Sequence, residues 1–130
     1  MICIDSDCII DFLRGKVEAI KIIESYKEVL ATTEVNVFEV FFGIYNIKNI
    51  SEEEEKSASL FFANIPILSS DCGWGKKAAK LFSELIRDGK IIEQDDCIIA
   101  SIMIKNDCNK IITNNKKHFT KIDNIEVIQY

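Results

Sequence analysis

The sequence opens with MICIDSDCIIDFLRG (residues 1–15), in which a short apolar run meets an aspartate and is followed by a second apolar stretch. Residues 1–4 predict a buried strand, and Ser6 or Asp7 is expected to cap the short helix that follows it. A strand that leads directly into a helix is the repeating unit of sheets whose strands run parallel. Asp5 therefore falls at the carboxyl end of the first predicted strand.

The remainder of the chain continues the alternation of strands and helices. Helices are predicted over residues 17–26, 34–45, 52–62, 73–87 and 96–105, and strands over residues 29–31, 65–68, 110–113 and 126–129. Thr33, Ser51 and Asp95 are expected to cap three of the helices, and Pro66 places its strand at a sheet edge. The pattern predicts an α/β fold in three layers, with a central, mostly parallel sheet covered by helices on both faces, in one domain spanning residues 1–130.

Composition excludes several classes of protein. No run of about 18 uncharged apolar residues exists, so no membrane-spanning helix is expected. The N-terminus lacks a basic leader and meets an acid at position 5, which does not fit a signal peptide. The five cysteines are odd in number and form no C-x-x-C pair, which favours reduced thiols, a cytoplasmic protein and no structural zinc site.

Charge is unevenly distributed along the chain. The net charge of −5 argues against a general coat protein for nucleic acids. Residues 1–75 carry 13 acids and 6 bases, whereas residues 76–130 carry 8 acids and 10 bases, so the balance changes from −7 to +2. Ordinary surface scatter and an acidic site flanked by a basic surface both account for this difference.

Three carboxylates occupy positions that an apolar core normally refuses. Asp5 follows the first strand, Glu39 lies within the apolar run VFEVFF, and Asp96 directly precedes the run CIIA. Taken singly, capping explains Asp5 and Asp96, and a place at the edge of a helix explains Glu39. Burial of a lone carboxylate is costly unless the group is paired or binds a metal, and all three acids can converge at the strand ends of one sheet.

A cluster of carboxylates predicts a particular class of chemistry. Hard oxygen ligands suit Mg²⁺ or Mn²⁺ better than zinc or copper, and such ions polarise a phosphoryl oxygen and help to deprotonate water. No Ser–His–Asp arrangement competes, because His118 is the sole histidine. Neither of the common glycine-rich phosphate loops occurs in the sequence.

Four stretches, taken in order, resemble the motifs of VapC-type PIN domains. They are IDSDCIIDFLRG (residues 4–15), EVFFG (39–43), LIRDG with DCIIA (85–89 and 96–100), and IITNNKKHF (111–119). The closing strand at residues 125–128 is also similar, so the resemblance spans essentially the whole chain. It implies a PIN-like domain in which Asp5, Glu39 and Asp96 bind Mg²⁺ or Mn²⁺ and serve catalysis.

The fourth stretch departs from the fullest form of the family pattern, which has another acid there. Asn115 is assigned to the catalytic site instead, because an amide can coordinate through its carbonyl oxygen or hold a metal-bound water. His118 either contacts phosphate or supports the core beside Phe119, and support is the favoured interpretation. Further supporting or RNA-contacting candidates are Thr113, Asp95, Arg14, Lys116 and Lys117, while the role of Trp74 stays open.

The resemblance implies an endoribonuclease that cleaves phosphodiester bonds with metal-activated water and leaves 5′-phosphate and 3′-hydroxyl ends. It also implies an antitoxin protein that blocks the site, and a homodimer. Three alternatives remain: an RNA-processing nuclease without an antitoxin, a PIN-like module that binds RNA or protein without catalysis, and a phosphatase-like acid site. The missing fourth acid keeps the second of these open, and the pair Asp5-x-Asp7 alone gives weak support to the third.

Overall fold

The computed structural model describes residues 1–47 and 51–130, along which strands and helices alternate as predicted. The strands are β1 (Ile2–Ile4), β2 (Leu30–Thr33), β3 (Ile67–Leu68), β4 (Lys110–Ile112) and β5 (Glu126–Ile128). The helices are α1 (Ser6–Leu13), α2 (Val17–Ser25), α3 (Glu34–Tyr45), α4 (Glu52–Ala63), α5 (Trp74–Arg87), α6 (Gln94–Lys105) and α7 (Lys116–Phe119), of which α7 was not predicted. Within these ranges no helix is both long enough and apolar enough to cross a bilayer.

The five strands run parallel in the order β3-β2-β1-β4-β5, which confirms the predicted sheet. Cys3 of β1 pairs with Ala31 on one side and with Ile111 on the other, so β1 is central. β3 occupies an edge, as Pro66 indicated. The chain builds outward from β1 to β3 and then crosses to the opposite side for β4 and β5. This reversal creates a switch point between β1 and β4, and ligands of open α/β sheets bind beside such points at the carboxyl ends of the strands.

Helices cover both faces of the sheet and complete three layers. Side chains alternate across β1: Cys3 packs into a core with α5 and α6, while Ile2 and Ile4 pack into a core with α1 to α4. The largest buried side chains of the first core are Ile99, Ile102, Met103, Ile111 and Phe119, and those of the second are Ile2, Ile4, Ile9, Val40 and Ile112. Because both faces of the central strand are buried, β1 is a continuous apolar run.

The cap of α1 is Asp5, which the sequence offered beside the expected caps Ser6 and Asp7. Asp5, rather than Ser6 or Asp7, occupies the N-cap position, and its carboxylate accepts a hydrogen bond of 2.9 Å from the Ser6 N–H. The backbone is still extended at Asp5, with φ −76° and ψ 158°, and becomes helical at Ser6. The last extended residue is the one that caps a helix, so the same carboxylate that ends β1 also begins α1.

The predicted cap of α6 is wrong as well. The helix begins at Gln94 with Glu93 at the N-cap position, so Asp95 lies inside the first turn and does not cap it. There its charge interacts favourably with the positive end of the helix dipole. The other two predicted caps, Thr33 for α3 and Ser51 for α4, are confirmed.

Candidate active site

Asp5 lies at the centre of the candidate site, at the carboxyl end of β1, and is 4 % exposed. Its Oδ1 accepts hydrogen bonds from the Ser6 N–H at 2.9 Å and from the Asn36 side-chain amide at 2.8 Å. Its Oδ2 accepts one from the Thr113 hydroxyl at 2.6 Å. Asn36 comes from α3 and Thr113 follows β4, so groups from three different elements fix the orientation of this carboxylate.

Glu39 is connected to Asp5 through Asn36. The Asn36 amide nitrogen lies 2.8 Å from Asp5 Oδ1 and 3.4 Å from Glu39 Oε2. The Asn36 side chain is itself held by Thr33, whose N–H and hydroxyl donate to Oδ1 at 3.2 and 2.7 Å. Glu39 is half-buried, and the nearby Ser6 side chain lowers its pKa against the raising effect of burial. A neutral amide therefore bridges two carboxylates that repel each other.

Asp96 enters the site from the first turn of α6 and is 7 % exposed. Its Oδ2 lies 2.8 Å from the Asn115 amide nitrogen and 2.5 Å from His118 Nδ1. The Asn115 backbone N–H donates to the Thr113 hydroxyl at 2.9 Å, and that hydroxyl donates to Asp5. A continuous path of hydrogen bonds thus runs from Asp96 through the segment after β4 to Asp5.

Asp7 is a fourth carboxylate at this end of the sheet. Its Oδ2 accepts a hydrogen bond of 2.8 Å from the Asn114 N–H and lies 3.4 Å from the Thr113 hydroxyl. The sequence had suggested Asp7 as a cap of α1. Asp7 lies within the first turn of that helix and does not cap it. Its contacts instead connect α1 to the segment after β4.

Burial and like charge raise the pKa of the acids in the site. Burial, followed by the nearby Asp7 carboxylate, raises the pKa of Asp5 to about 7, against the lowering effect of its hydrogen-bond donors. Burial also raises the pKa of Asp7, Glu39 and Asp96, and the charge of Asp96 contributes to the shift of Glu39. On Asp96 the His118 hydrogen bond opposes the effect of burial. Acids that are costly to ionise together are stabilised by a bound cation.

The residues present fit a hard divalent cation. The donors are carboxylate oxygens of Asp5, Glu39 and Asp96, which is the chemistry that Mg²⁺ and Mn²⁺ prefer. Within residues 1–47 and 51–130, no group of three or more His, Cys, Asp or Glu side chains is arranged so that it could hold a metal ion on its own. Mg²⁺ usually keeps several waters and binds proteins through one or two carboxylates and substrate phosphates, so an open arrangement suits it.

Three further candidates lie on the surface beside the acids. Asp95 is exposed next to Asp96, and its charge contributes to the raised pKa of Glu39. Lys116 and Lys117 are exposed in the single turn of α7, next to the Asn115 and His118 side chains that contact Asp96.

Arg14 lies elsewhere. It is exposed at the C-terminal end of α1, and within the described ranges no ion pair joins it to an acid of the site. It lines an open groove of about 400 Å³ between α1, α3 and α4 together with Ile10, Leu13, Val40, Gly43, Ile44, Ile47, Ser51, Glu53, Glu54 and Ser57. Trp74 is the first residue of α5, half-buried, and none of its contacts assigns it a role.

Asn36 is the site residue that sequence reasoning missed. Two signals were present: Thr33 and Asn36 have the spacing of a capping box, and Asn36 and Glu39 are three residues apart, which places them on one helix face. Neither signal shows that the amide turns towards Asp5. That contact depends on how α3 packs against β1, which local sequence does not determine.

Comparison with curated proteins gives no match. Among solved structures, the chain is similar to VapBC2 from Rickettsia felis bound to a promoter DNA fragment, with a TM-score of 0.86, 21 % identity, and coverage of 100 % of this chain and 99 % of that one. It is also similar to VapBC-1 from nontypeable Haemophilus influenzae, with a TM-score of 0.81, 20 % identity, and coverage of 99 % of this chain and 98 % of that one. A third similar structure is VapC20 from Mycobacterium tuberculosis, a sarcin–ricin loop cleaving toxin. Its TM-score is 0.67 at 14 % identity, and the match covers 85 % of this chain and 87 % of that one. At these identities the likeness concerns the fold.

Family membership follows from a direct match of the sequence. The family model of the PIN domain matches residues 2–125, which include β1 to β4, all seven helices described above and every acid of the candidate site. The matched range also contains Asn115 and His118. The resemblance predicted from the four motifs is confirmed, and the chain belongs to the PIN domain family.

Proposed function

We propose that this protein is a Mg²⁺- or Mn²⁺-dependent endoribonuclease and the toxin of a toxin–antitoxin pair. One observation carries the proposal: Asp5, Glu39 and Asp96, which lie far apart in sequence, are linked by hydrogen-bonded side chains at the carboxyl end of a parallel sheet in a PIN domain. Perturbed carboxylates gathered at a switch point are typical of a catalytic site.

The acids and their hydrogen-bond donors have separate tasks in this proposal. A divalent cation, when bound, supplies polarisation of a phosphoryl oxygen and increases the acidity of water. Asp5, Glu39 and Asp96 provide the negative charge that holds it. Asn36 and Thr113 keep the Asp5 carboxylate in one orientation, so little reorganisation is needed when substrate arrives.

RNA is the proposed substrate class. Lys116 and Lys117 are exposed next to the residues that contact Asp96. They belong to residues 76–130, which carry a net charge of +2. Lysines at such positions bind phosphate and bring a polyanion to a site that would otherwise repel it. Support also comes from a structural relative, VapC20, which is a toxin that cleaves the sarcin–ricin loop.

An antitoxin and a second copy of this chain are the proposed partners, in the cytoplasm. The relatives from Rickettsia felis and Haemophilus influenzae are toxin–antitoxin complexes, and their folds match nearly the whole of this chain. Co-expression with the protein of an adjacent short reading frame, followed by affinity purification and light scattering, tests both partners. Recovery of an active nuclease that no neighbouring gene product binds favours an RNA-processing enzyme instead.

Cleavage of RNA by pure protein is the decisive test. We expect Mg²⁺ or Mn²⁺ to support cleavage, EDTA to abolish it and Zn²⁺ to replace them poorly, with 5′-phosphate ends found by sequencing. A triple variant with Asp5→Asn, Glu39→Gln and Asp96→Asn, purified in parallel, controls for contaminating nucleases. Activity in EDTA would contradict the metal requirement, and folded protein that binds RNA without cutting it would establish a binding module.

A further inference from the structure

Two nitrogen atoms converge on a single oxygen of Asp96. His118 Nδ1 lies 2.5 Å from Oδ2 and the Asn115 amide nitrogen lies 2.8 Å from the same oxygen, while the two nitrogens are 3.0 Å apart. Among the described residues, no hydrogen-bond donor contacts Asp96 Oδ1. One oxygen of this carboxylate is therefore fully engaged, and the other is left for a different ligand.

The contact between His118 Nδ1 and Asp96 Oδ2 requires a proton between the two atoms. A nitrogen and an oxygen that both present lone pairs repel each other at 2.5 Å, so one proton must lie between His118 Nδ1 and Asp96 Oδ2. The amide nitrogen of Asn115 can only donate, and a carboxylate oxygen has two lone pairs. Both bonds are satisfied at once if Nδ1 carries hydrogen and Asp96 accepts twice through Oδ2. The contact between the two nitrogens is then a contact between donors.

The imidazole is held in position by its surroundings. His118 is 9 % exposed and is followed by Phe119, which is fully buried in the core with α6. The backbone N–H of His118 donates to the backbone carbonyl of Asn115 at 3.1 Å, which fixes the backbone of α7 at this point. Because the ring is largely buried, turning it away from Asp96 would require neighbouring side chains to move.

We propose that His118 is a positioning residue that takes the place of the missing fourth acid: its Nδ1–H holds Asp96 Oδ2 so that Oδ1 faces the cation site. The inference rests on the proposed metal-dependent function. A carboxylate at position 118 would face Asp96 as a like charge, whereas a histidine donates to it and leaves one fewer negative charge in the cluster. Ligand groups held by such donors bind metals more tightly, because their orientation is fixed before the ion arrives.

The tautomer of His118 is the first test, and it does not depend on activity. Because His118 is the sole histidine, a long-range ¹H–¹⁵N spectrum of untagged wild-type protein contains one imidazole. We expect hydrogen on Nδ1, in the neutral or the doubly protonated ring, and we expect Asp96→Asn to change the Nδ1 shift. A neutral ring with hydrogen only on Nε2 would overturn the proposal.

Mn²⁺ affinity, measured by electron paramagnetic resonance, is the second test. His118→Asn places an amide donor near the position of Nδ1 and should keep the dissociation constant within about threefold, whereas His118→Gln and His118→Phe should raise it about tenfold or more. His118→Phe retains the bulk of the ring, so melting curves separate lost packing from lost donation. Equal Mn²⁺ affinity in all three variants would leave His118 with a packing role only and reject the proposal.

The two tests separate failure of this inference from failure of the proposed function. If wild-type protein cleaves RNA with Mg²⁺ but the Mn²⁺ affinities of the variants are equal, the nuclease assignment stands and the role of His118 is wrong. If the protein binds Mn²⁺ and the variants follow the expected order but RNA is not cut, His118 positions a metal ligand in a protein with another activity.

Discussion

The side-chain amide of Asn36 donates a hydrogen bond of 2.8 Å to the carboxylate of Asp5, joining α3 to the end of β1. The same nitrogen lies 3.4 Å from Glu39, so it separates two acids. We expect Asn36→Ala to cost about 1–3 kcal/mol, because a buried carboxylate loses a donor, and to lower the cleavage rate. In EDTA, Asn36→Asp should lower the free energy of unfolding more than Asn36→Ala does, since it adds a negative charge beside those of Asp5 and Glu39. Urea titrations and initial rates measure both effects, with Asn46→Ala, at the exposed C-cap of α3, as the control.

Each acid of the site should be required individually. Asp5→Asn, Glu39→Gln and Asp96→Asn keep the size of the side chain but remove its charge, so each should lower the cleavage rate by orders of magnitude and leave the circular dichroism spectrum unchanged. The exposed Asp123→Asn is the matched control. A well-folded variant with near-normal activity would remove that residue from the site.

Stability of the metal-free protein should fall as pH rises towards 8. The pKa of Asp5 is about 7 in the folded chain against an ordinary value of 3.8, so the folded state binds more protons than the unfolded state between these values. The free energy of unfolding therefore decreases with pH in this window, by up to about 1.4 kcal/mol per pH unit from this group. Melting temperatures in EDTA between about pH 5 and pH 8 measure the slope.

Two variants separate Asp5 from the other acids in that experiment. Asp5→Asn should reduce the change of melting temperature with pH, and near pH 8 its melting temperature should be higher than that of wild type. Asp11→Asn should leave the slope in place, because Asp11 is paired with Lys16 at 2.7 Å and has a lowered pKa, so it stays ionised throughout this range of pH. A wild-type melting temperature that rises steadily from pH 5 to pH 8 in EDTA would contradict the raised pKa of Asp5.

Substitution of Asn115 should move stability and metal binding in opposite directions. Its amide nitrogen lies 2.8 Å from Asp96 Oδ2, so Asn115→Asp replaces a donor by a like charge and should lower the melting temperature in EDTA. The added carboxylate should also reduce the Mg²⁺ concentration needed for half-maximal cleavage, because hard cations prefer charged oxygen ligands. Asn115→Ala should raise that concentration. An unchanged metal requirement in both variants would exclude Asn115 from the immediate surroundings of the ion.

Two glycines provide a test of stability that does not involve the acids. Gly43 lies in the interior of α3 and has open space where a Cβ would be, so Gly43→Ala should stabilise the isolated chain by up to about 1 kcal/mol. Gly15 lies just after α1 with φ +77°, a backbone conformation that alanine adopts only with strain. Gly15→Ala should therefore destabilise the chain by about 1 kcal/mol, although a Cβ has as much open space there as at Gly43. Loss of stability in Gly43→Ala would show that the groove beside α3 closes in solution.

The fold was predictable because its signals are local. Apolar runs of strand length alternate with helical spacing, and this alternation gave the parallel sheet and placed Asp5 at a strand end. The two wrong caps have a common cause. At both Asp5 and Glu93 several polar residues follow one another, and only the backbone conformation decides which of them is the last extended residue. α7 has four residues, too few to show a helical period.

The candidate site was predictable in its acids and not in their connections. Asp5, Glu39 and Asp96 stand out as carboxylates among apolar neighbours, which a single sequence reveals. Asn36 and the contacts of Asp7 do not stand out, because a polar residue near a helix end has many ordinary roles. Their contacts with Asp5 and Asn114 join segments that meet only when the sheet is assembled.

The hydrogen bond between Thr113 and Asp5 spans 108 residues of chain. During synthesis Asp5 leaves the ribosome long before Thr113, Asn115 and His118 exist, and domains begin to fold from the end that emerges first. Until β4 inserts beside β1, the Asp5 carboxylate has only the donors on its α1 and α3 side, and Asp96 has no partner from α7. Assembly of the acids is therefore a late event in the synthesis of each chain, because it waits for the segment that follows β4.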